Sequence, residues 1–136
     1  FLRNVQLYAD AVDRGSDEII HTGRACGDAT MSCHDSLIVG LLQWPGHYTE
    51  AQCKGALFMS QQLNMTVAAN QTGGPLLVTV PIASAVDVVS STFRSFKAAG
   101  VNLLVICAQH RADTQVALLA MGDADFSPLA VSSTFV

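Results

Sequence analysis

The chain has 136 residues, of which 50% are hydrophobic and 13% are charged, and it carries a formal net charge of −4. This composition predicts one globular domain over residues 1–136 and argues against a disordered chain. The acidic balance argues against nucleic-acid binding, and no apolar run reaches the roughly 18 residues that a membrane span needs. Because the chain begins with Phe1 and a mixed polar segment, we expect a processed chain or a fragment, with no signal peptide.

The first segment predicts an amphipathic helix that ends at Gly15. Its apolar positions follow a helical spacing of three and four residues: Leu2, Val5, Tyr8 or Ala9, and Val12. Residues 16–35 are polar and predict a loop that contains Cys26 and Cys33. If the protein is secreted, we expect these two cysteines to form a disulfide, because a loop of this length closes without strain.

Two apolar strands and one helix are predicted next. Residues 36–44 (SLIVGLLQW) are almost continuously apolar and end at a Pro-Gly pair, as is typical of a strand buried on both faces. The following helix is expected to begin at Thr49, which forms a capping-box pattern with Gln52, and to end near Asn64. Residues 75–81 (PLLVTVP) predict the second strand.

The third helix is expected to begin at a Ser84 cap and to end at Gly100, where glycine adopts a left-handed conformation most easily. Residues 102–107 then predict a central strand, because their apolar run is unbroken. A short helix capped by Asp113 and stopped by Gly122 follows, and a last strand is expected near residues 129–135.

The alternation of helices and strands predicts a three-layer α/β domain, with a mostly parallel sheet between helices on both faces. The alternative is a pilin-like α+β domain in which residues 66–78 form an antiparallel hairpin. In either fold Cys53 lies in a helix and Cys107 in an apolar strand, where buried free thiols are expected.

Residues 88–120 (VVSSTFRSFKAAGVNLLVICAQHRADTQVALLA) resemble a segment of the von Willebrand factor A domain, in which a helix ends in Ala-Gly-Val before an apolar strand. Residues 38–44 (IVGLLQW) are similar to the second strand of that family. The resemblance implies a binding module whose partner completes a divalent-metal site with a carboxylate. The metal-binding motifs are missing here: the Asp-x-Ser-x-Ser motif is absent, His47 stands where a Thr is expected, and no Asp follows Val80. We therefore expect no metal and no other cofactor.

Candidate binding residues are His110, Arg111 and Asp113, which follow the predicted strand 102–107 at its carboxyl end. Open α/β sheets bind their ligands at this end of their strands. Asn64 and Asn70 each begin an Asn-x-Thr triplet and are candidate N-glycosylation sites. No nucleophile motif or cofactor fingerprint appears in the sequence.

These patterns favour a non-catalytic binding module, extracellular or in the cell envelope, that acts in adhesion or assembly through a protein partner or self-association. Two alternatives stay open. One is a small α/β enzyme or ligand-binding domain with its site near His110, Arg111 and Asp113. The other is a structural subunit of a filament or larger assembly, which the high hydrophobic content favours.

Overall fold

The computed structural model describes residues 1–13 and 33–134. The described helices are α1 (Leu2–Asp13), α2 (His47–Gln62), α3 (Val86–Ala98) and α4 (Arg111–Asp123). The described strands are β1 (Ile38–Gln43), β2 (Thr66–Val67), β3 (Leu77–Thr79), β4 (Leu103–Cys107) and β5 (Ala130–Ser133). None of these helices combines the length and apolar character that crossing a bilayer requires.

The five strands form one sheet in which every pairing between named strands is parallel. β1 and β4 are central neighbours, and β5 pairs with the other side of β4. β2 and β3 follow one another along the remaining edge of β1. β2 pairs with residues 38–39 of β1, and β3 pairs with residues 41–43. The predicted parallel sheet is confirmed. Of the alternative hairpin over residues 66–78, the structure contains a single antiparallel bridge between Ala69 and Pro75.

Helices cover both faces of the sheet, as the three-layer prediction required. Alternate strand side chains divide between two buried clusters because successive residues of a strand point to opposite faces. The cluster beneath α1 and α2 includes Ala9, Val39, Leu41, Cys53, Leu103 and Val105. The cluster beneath α3 and α4 includes Leu42, Val89, Phe93, Phe96, Leu104, Ile106, Ala117 and Ala120.

The predicted central strand is confirmed. All five residues of β4 are buried, and the strand lies between β1 and β5. The turn that leads into it also follows the prediction. Gly100 has φ +79°, and its N–H donates to the Lys97 carbonyl at 3.1 Å, which closes the end of α3. The next residue, Val101, donates to the Phe96 carbonyl at the same distance, so the chain reverses directly into the sheet.

The helix caps predicted for α2 and α3 are wrong. α2 begins at His47, two residues before the expected Thr49 cap, because the chain enters the helix directly from the Pro-Gly turn. The Thr49 hydroxyl lies inside the first helical turn, where it donates to the Trp44 carbonyl at 2.5 Å. α3 begins at Val86 with Ala85 as its N-cap, and the Ser84 hydroxyl instead donates to the Pro81 carbonyl.

The prediction of free thiols at Cys53 and Cys107 is also wrong, because the two cysteines form a disulfide. α2 crosses the carboxyl end of β4 and brings the two Cα atoms to 6.0 Å, a distance that a disulfide spans. Both cysteines are buried. Cys33 is itself disulfide-bonded, whereas its predicted partner Cys26 lies outside the described residues.

Asn102 joins three segments at the amino end of the sheet. Its side-chain Oδ1 accepts the Ile38 N–H at 2.7 Å, and its Nδ2 donates to the Ser36 carbonyl at 2.5 Å. Its backbone carbonyl accepts the Leu129 N–H at 2.8 Å. One amide side chain therefore holds the start of β1 to β4, next to the segment that leads into β5.

Candidate functional site

The sheet topology leaves a gap at the carboxyl ends of the two central strands, β1 and β4. From β1 the chain runs through α2 to β2 and β3 on one side, and from β4 it runs through α4 to β5 on the other. α2 and α4 also pack on opposite faces of the sheet. Connections that leave neighbouring parallel strands in opposite directions open a gap between them, and open α/β proteins bind ligands in this gap.

A cavity of about 520 Å³ occupies one side of this gap, and we call it the crevice. Three connections supply its walls: those that follow β1, β3 and β4. The lining residues are Trp44, Pro45, Ile82, Ala83, Gln109, His110, Ala112 and Asp113. The walls are mainly apolar with a few polar groups, and the volume lies within the range of small-ligand sites.

Trp44 is a fixed wall of the crevice. Its backbone N–H donates to the Cys107 carbonyl at 3.0 Å, and its own carbonyl accepts the Thr49 hydroxyl. Its side chain is only 2% exposed. The disulfide at Cys107 further joins this end of β4 to α2. The wall is therefore held by backbone hydrogen bonds and a covalent link, which favours a preformed site.

Asp113 shapes the turn between β4 and α4. Its Oδ2 accepts the N–H groups of Gln109 at 3.0 Å and His110 at 2.8 Å. The predicted Asp113 cap is therefore wrong in position: His110 is the N-cap of α4, and Asp113 lies in the first helical turn, where its carboxylate holds the two N–H groups before the helix. Of the three predicted site residues, His110 and Asp113 line the crevice, whereas Arg111 is exposed outside its lining.

Gln109 is a functional candidate that the sequence analysis missed. It lines the crevice and also a second cavity of about 270 Å³, whose other lining residues are Tyr48, Gln52, Ala108 and Thr134. The Gln109 side chain lies over Gly46, where an added Cβ would collide with Oε1. This Oε1 is buried and has no hydrogen-bond partner. The only sequence feature that could have indicated a role for Gln109 is its position just after the apolar strand 102–107.

The rim of the carboxyl edge carries exposed apolar side chains, with Tyr48 at the second cavity and Ile82 at the crevice, and an unusual backbone at Ala83. Tyr48 is 79% exposed and Ile82 is 78% exposed, more than any other large hydrophobic residue that the structure describes. Ala83, beside Ile82, has φ +56°. An alanine in this left-handed region is strained, and such positions are concentrated at functional sites. The carboxyl edge therefore combines an apolar cavity with an apolar rim.

The remaining predicted sites lie away from the crevice. Asn64 is exposed at the end of α2, with φ +54°. Asn70 is exposed in the loop between β2 and β3, where its Oδ1 accepts the N–H groups of Thr72 and Gly74, each at 3.0 Å. N-glycosylation of either asparagine stays a prediction. Across residues 1–13 and 33–134, no three His, Cys, Asp or Glu side chains are grouped to hold a metal ion.

Comparisons of this chain with protein-family models, with curated proteins and with solved structures return no match. The class that the fold and the site define is a parallel α/β domain with an apolar crevice at the carboxyl ends of its central strands. The resemblance to von Willebrand factor A domains stays a prediction.

Proposed function

We propose that the chain is a non-catalytic binding module that takes an apolar group of its ligand into the crevice. The observation that carries this proposal is the position of a 520 Å³ cavity at the gap between the carboxyl ends of β1 and β4. Its mainly apolar lining favours the burial of a hydrocarbon or aromatic group. The strained backbone at Ala83 and the exposed Ile82 at the same rim support this location.

The polar groups of the crevice support binding over catalysis. The lining contains no serine, threonine, cysteine or lysine, so His110 and Asp113 are its only side chains that could act as a nucleophile or a base. The Asp113 carboxylate already accepts two backbone N–H groups at its Oδ2, which gives it a structural role. This arrangement makes the enzyme alternative near His110, Arg111 and Asp113 the weaker one.

A protein partner fits the rim better than a small molecule alone. Tyr48 and Ile82 project from the carboxyl edge, and exposed aromatic and aliphatic side chains around a pocket are typical of protein interfaces. The resemblance to A domains, which is itself a prediction, also implies a protein partner. The buried disulfide supports an oxidising compartment, extracellular or in the cell envelope.

The test is a fragment screen by NMR on the ¹⁵N-labelled protein. We expect apolar fragments to shift the amide resonances of residues 44, 46–47, 82–83 and 108–113. Ala112→Phe, which fills the crevice, should abolish these shifts, because Ala112 lines it. Ala98→Phe is the matched control: Ala98 is also exposed on a helix but lies at the opposite end of the sheet, and the variant should bind as the parent does. Binding that is confined to other surfaces, or that survives in Ala112→Phe, would contradict the proposal.

A further inference from the structure

The Oε1 atom of Gln109 is a buried hydrogen-bond acceptor without a partner in the described part of the protein. It has no hydrogen-bond donor within reach, although the residue as a whole is only half-buried. Burial removes an acceptor from water, and without a compensating hydrogen bond the folded state is destabilised. Native structures contain few such atoms, and each one calls for a physical or functional reason.

The surroundings of Gln109 allow its amide group to leave this position. The crevice lies on one side of the residue and the second cavity on the other. Its backbone is held in place because its N–H donates to the Asp113 carboxylate at 3.0 Å, so only the side chain needs to turn. Because Gln109 also lines the crevice, rotation about its side-chain bonds would carry Oε1 from above Gly46 toward the crevice, where a bound molecule could donate to it.

We propose that Gln109 makes the crevice selective for ligands that carry an N–H or O–H donor on an apolar group. This inference rests on the proposed function, because it specifies the chemistry of the ligand at the same site. The ligand's donor would pair with an acceptor that has no partner among the described residues, while its apolar body lies against Trp44 and Pro45. An anionic ligand group is disfavoured, because it would meet the Asp113 carboxylate.

The experiment compares two probes of nearly equal shape: indole, which has an N–H donor, and benzofuran, which has an oxygen in its place. Their dissociation constants are measured by NMR titration for the parent, Gln109→Leu and Gln115→Leu. Gln115 is exposed on α4 and lines neither the crevice nor the second cavity, so its variant is the matched control. One additional hydrogen bond predicts about fivefold tighter binding of indole to the parent and to Gln115→Leu.

In Gln109→Leu the two probes should bind equally, with about the affinity of benzofuran for the parent. The melting temperature of this variant should also equal or exceed that of the parent, because an unpaired acceptor has been removed. If Gln109→Leu does not fold, Gln109→Met replaces it. Equal binding of both probes to the parent, or a preference for indole that survives in the Gln109 variant, overturns the inference while the site stands. Failure of both probes to shift the crevice resonances overturns the proposed function and the inference with it.

Discussion

The Cys53–Cys107 disulfide should contribute a large part of the stability of this domain. Its cysteines are 54 residues apart in sequence, so the bond restricts a long loop of the unfolded chain. The chain-entropy model assigns about 4 kcal/mol to a closed loop of this length at 25 °C. Small domains are stable by only about 5–15 kcal/mol. We therefore expect the Cys53→Ala/Cys107→Ala double variant to lose about 4 kcal/mol of unfolding free energy.

The assay is urea unfolding under non-reducing conditions, followed by the fluorescence of Trp44. This residue is the only tryptophan of the chain and is buried, so its emission reports on the loss of the core. The double variant retains Cys33 and its disulfide, which isolates the effect of the one bond. A loss below about 1 kcal/mol would refute the entropic reasoning. Free thiols at Cys53 and Cys107 in the freshly isolated parent would refute the pairing itself.

Three further substitution or ligand effects follow from the structure. Gly46→Ala should destabilise the fold by about 1–3 kcal/mol, because Gly46 has φ +150°, a backbone conformation that alanine adopts only with strain. Gly55→Ala, in open space on α2, should instead stabilise the fold by about 0.5–1 kcal/mol. Asn102→Ala should cost about 2–3 kcal/mol by leaving two backbone groups unpaired, whereas the exposed helical Asn4→Ala should cost nothing measurable in the same urea assay. Equal changes in unfolding free energy for the two glycine variants, or for the two asparagine variants, would contradict these assignments. Millimolar Mg²⁺, compared with chelator in a thermal melt, should leave the melting temperature unchanged, and a rise of several degrees would show a metal site.

Much of the fold could be predicted from local patterns in the sequence. The apolar run at residues 102–107 predicted a central strand, because a strand covered on both faces is typically apolar throughout, and β4 occupies residues 103–107 of it. Gly100 predicted the end of α3 because its backbone conformation is one that glycine adopts at least cost. The start of α4 near Asp113 could also be predicted, although Asp113 lies in the first turn, where its carboxylate accepts the N–H of the N-cap residue His110.

The features that depend on packing between distant segments could not be predicted in this way. The Cys53–Cys107 bond requires the position of α2 over the end of β4, which no local pattern specifies. The Thr49 cap failed because a hydroxyl near a helix start has two uses, and here it bonds back to Trp44 across a turn. Gln109 was missed because its unpaired Oε1 follows only from contact with Gly46, which lies 63 positions earlier in the chain.

The central claim is that ligands bind in the crevice beside Trp44. The most direct measurement replaces tryptophan biosynthetically with 5-fluorotryptophan, which places a single ¹⁹F nucleus at Trp44, because the chain has no other tryptophan. We predict that titration with indole shifts this one resonance in a saturable manner in the parent and in Ala98→Phe, and leaves it unchanged in Ala112→Phe. A resonance that does not move in the parent while indole binds elsewhere, or one that still moves in Ala112→Phe, would contradict the assignment of the crevice as the binding site.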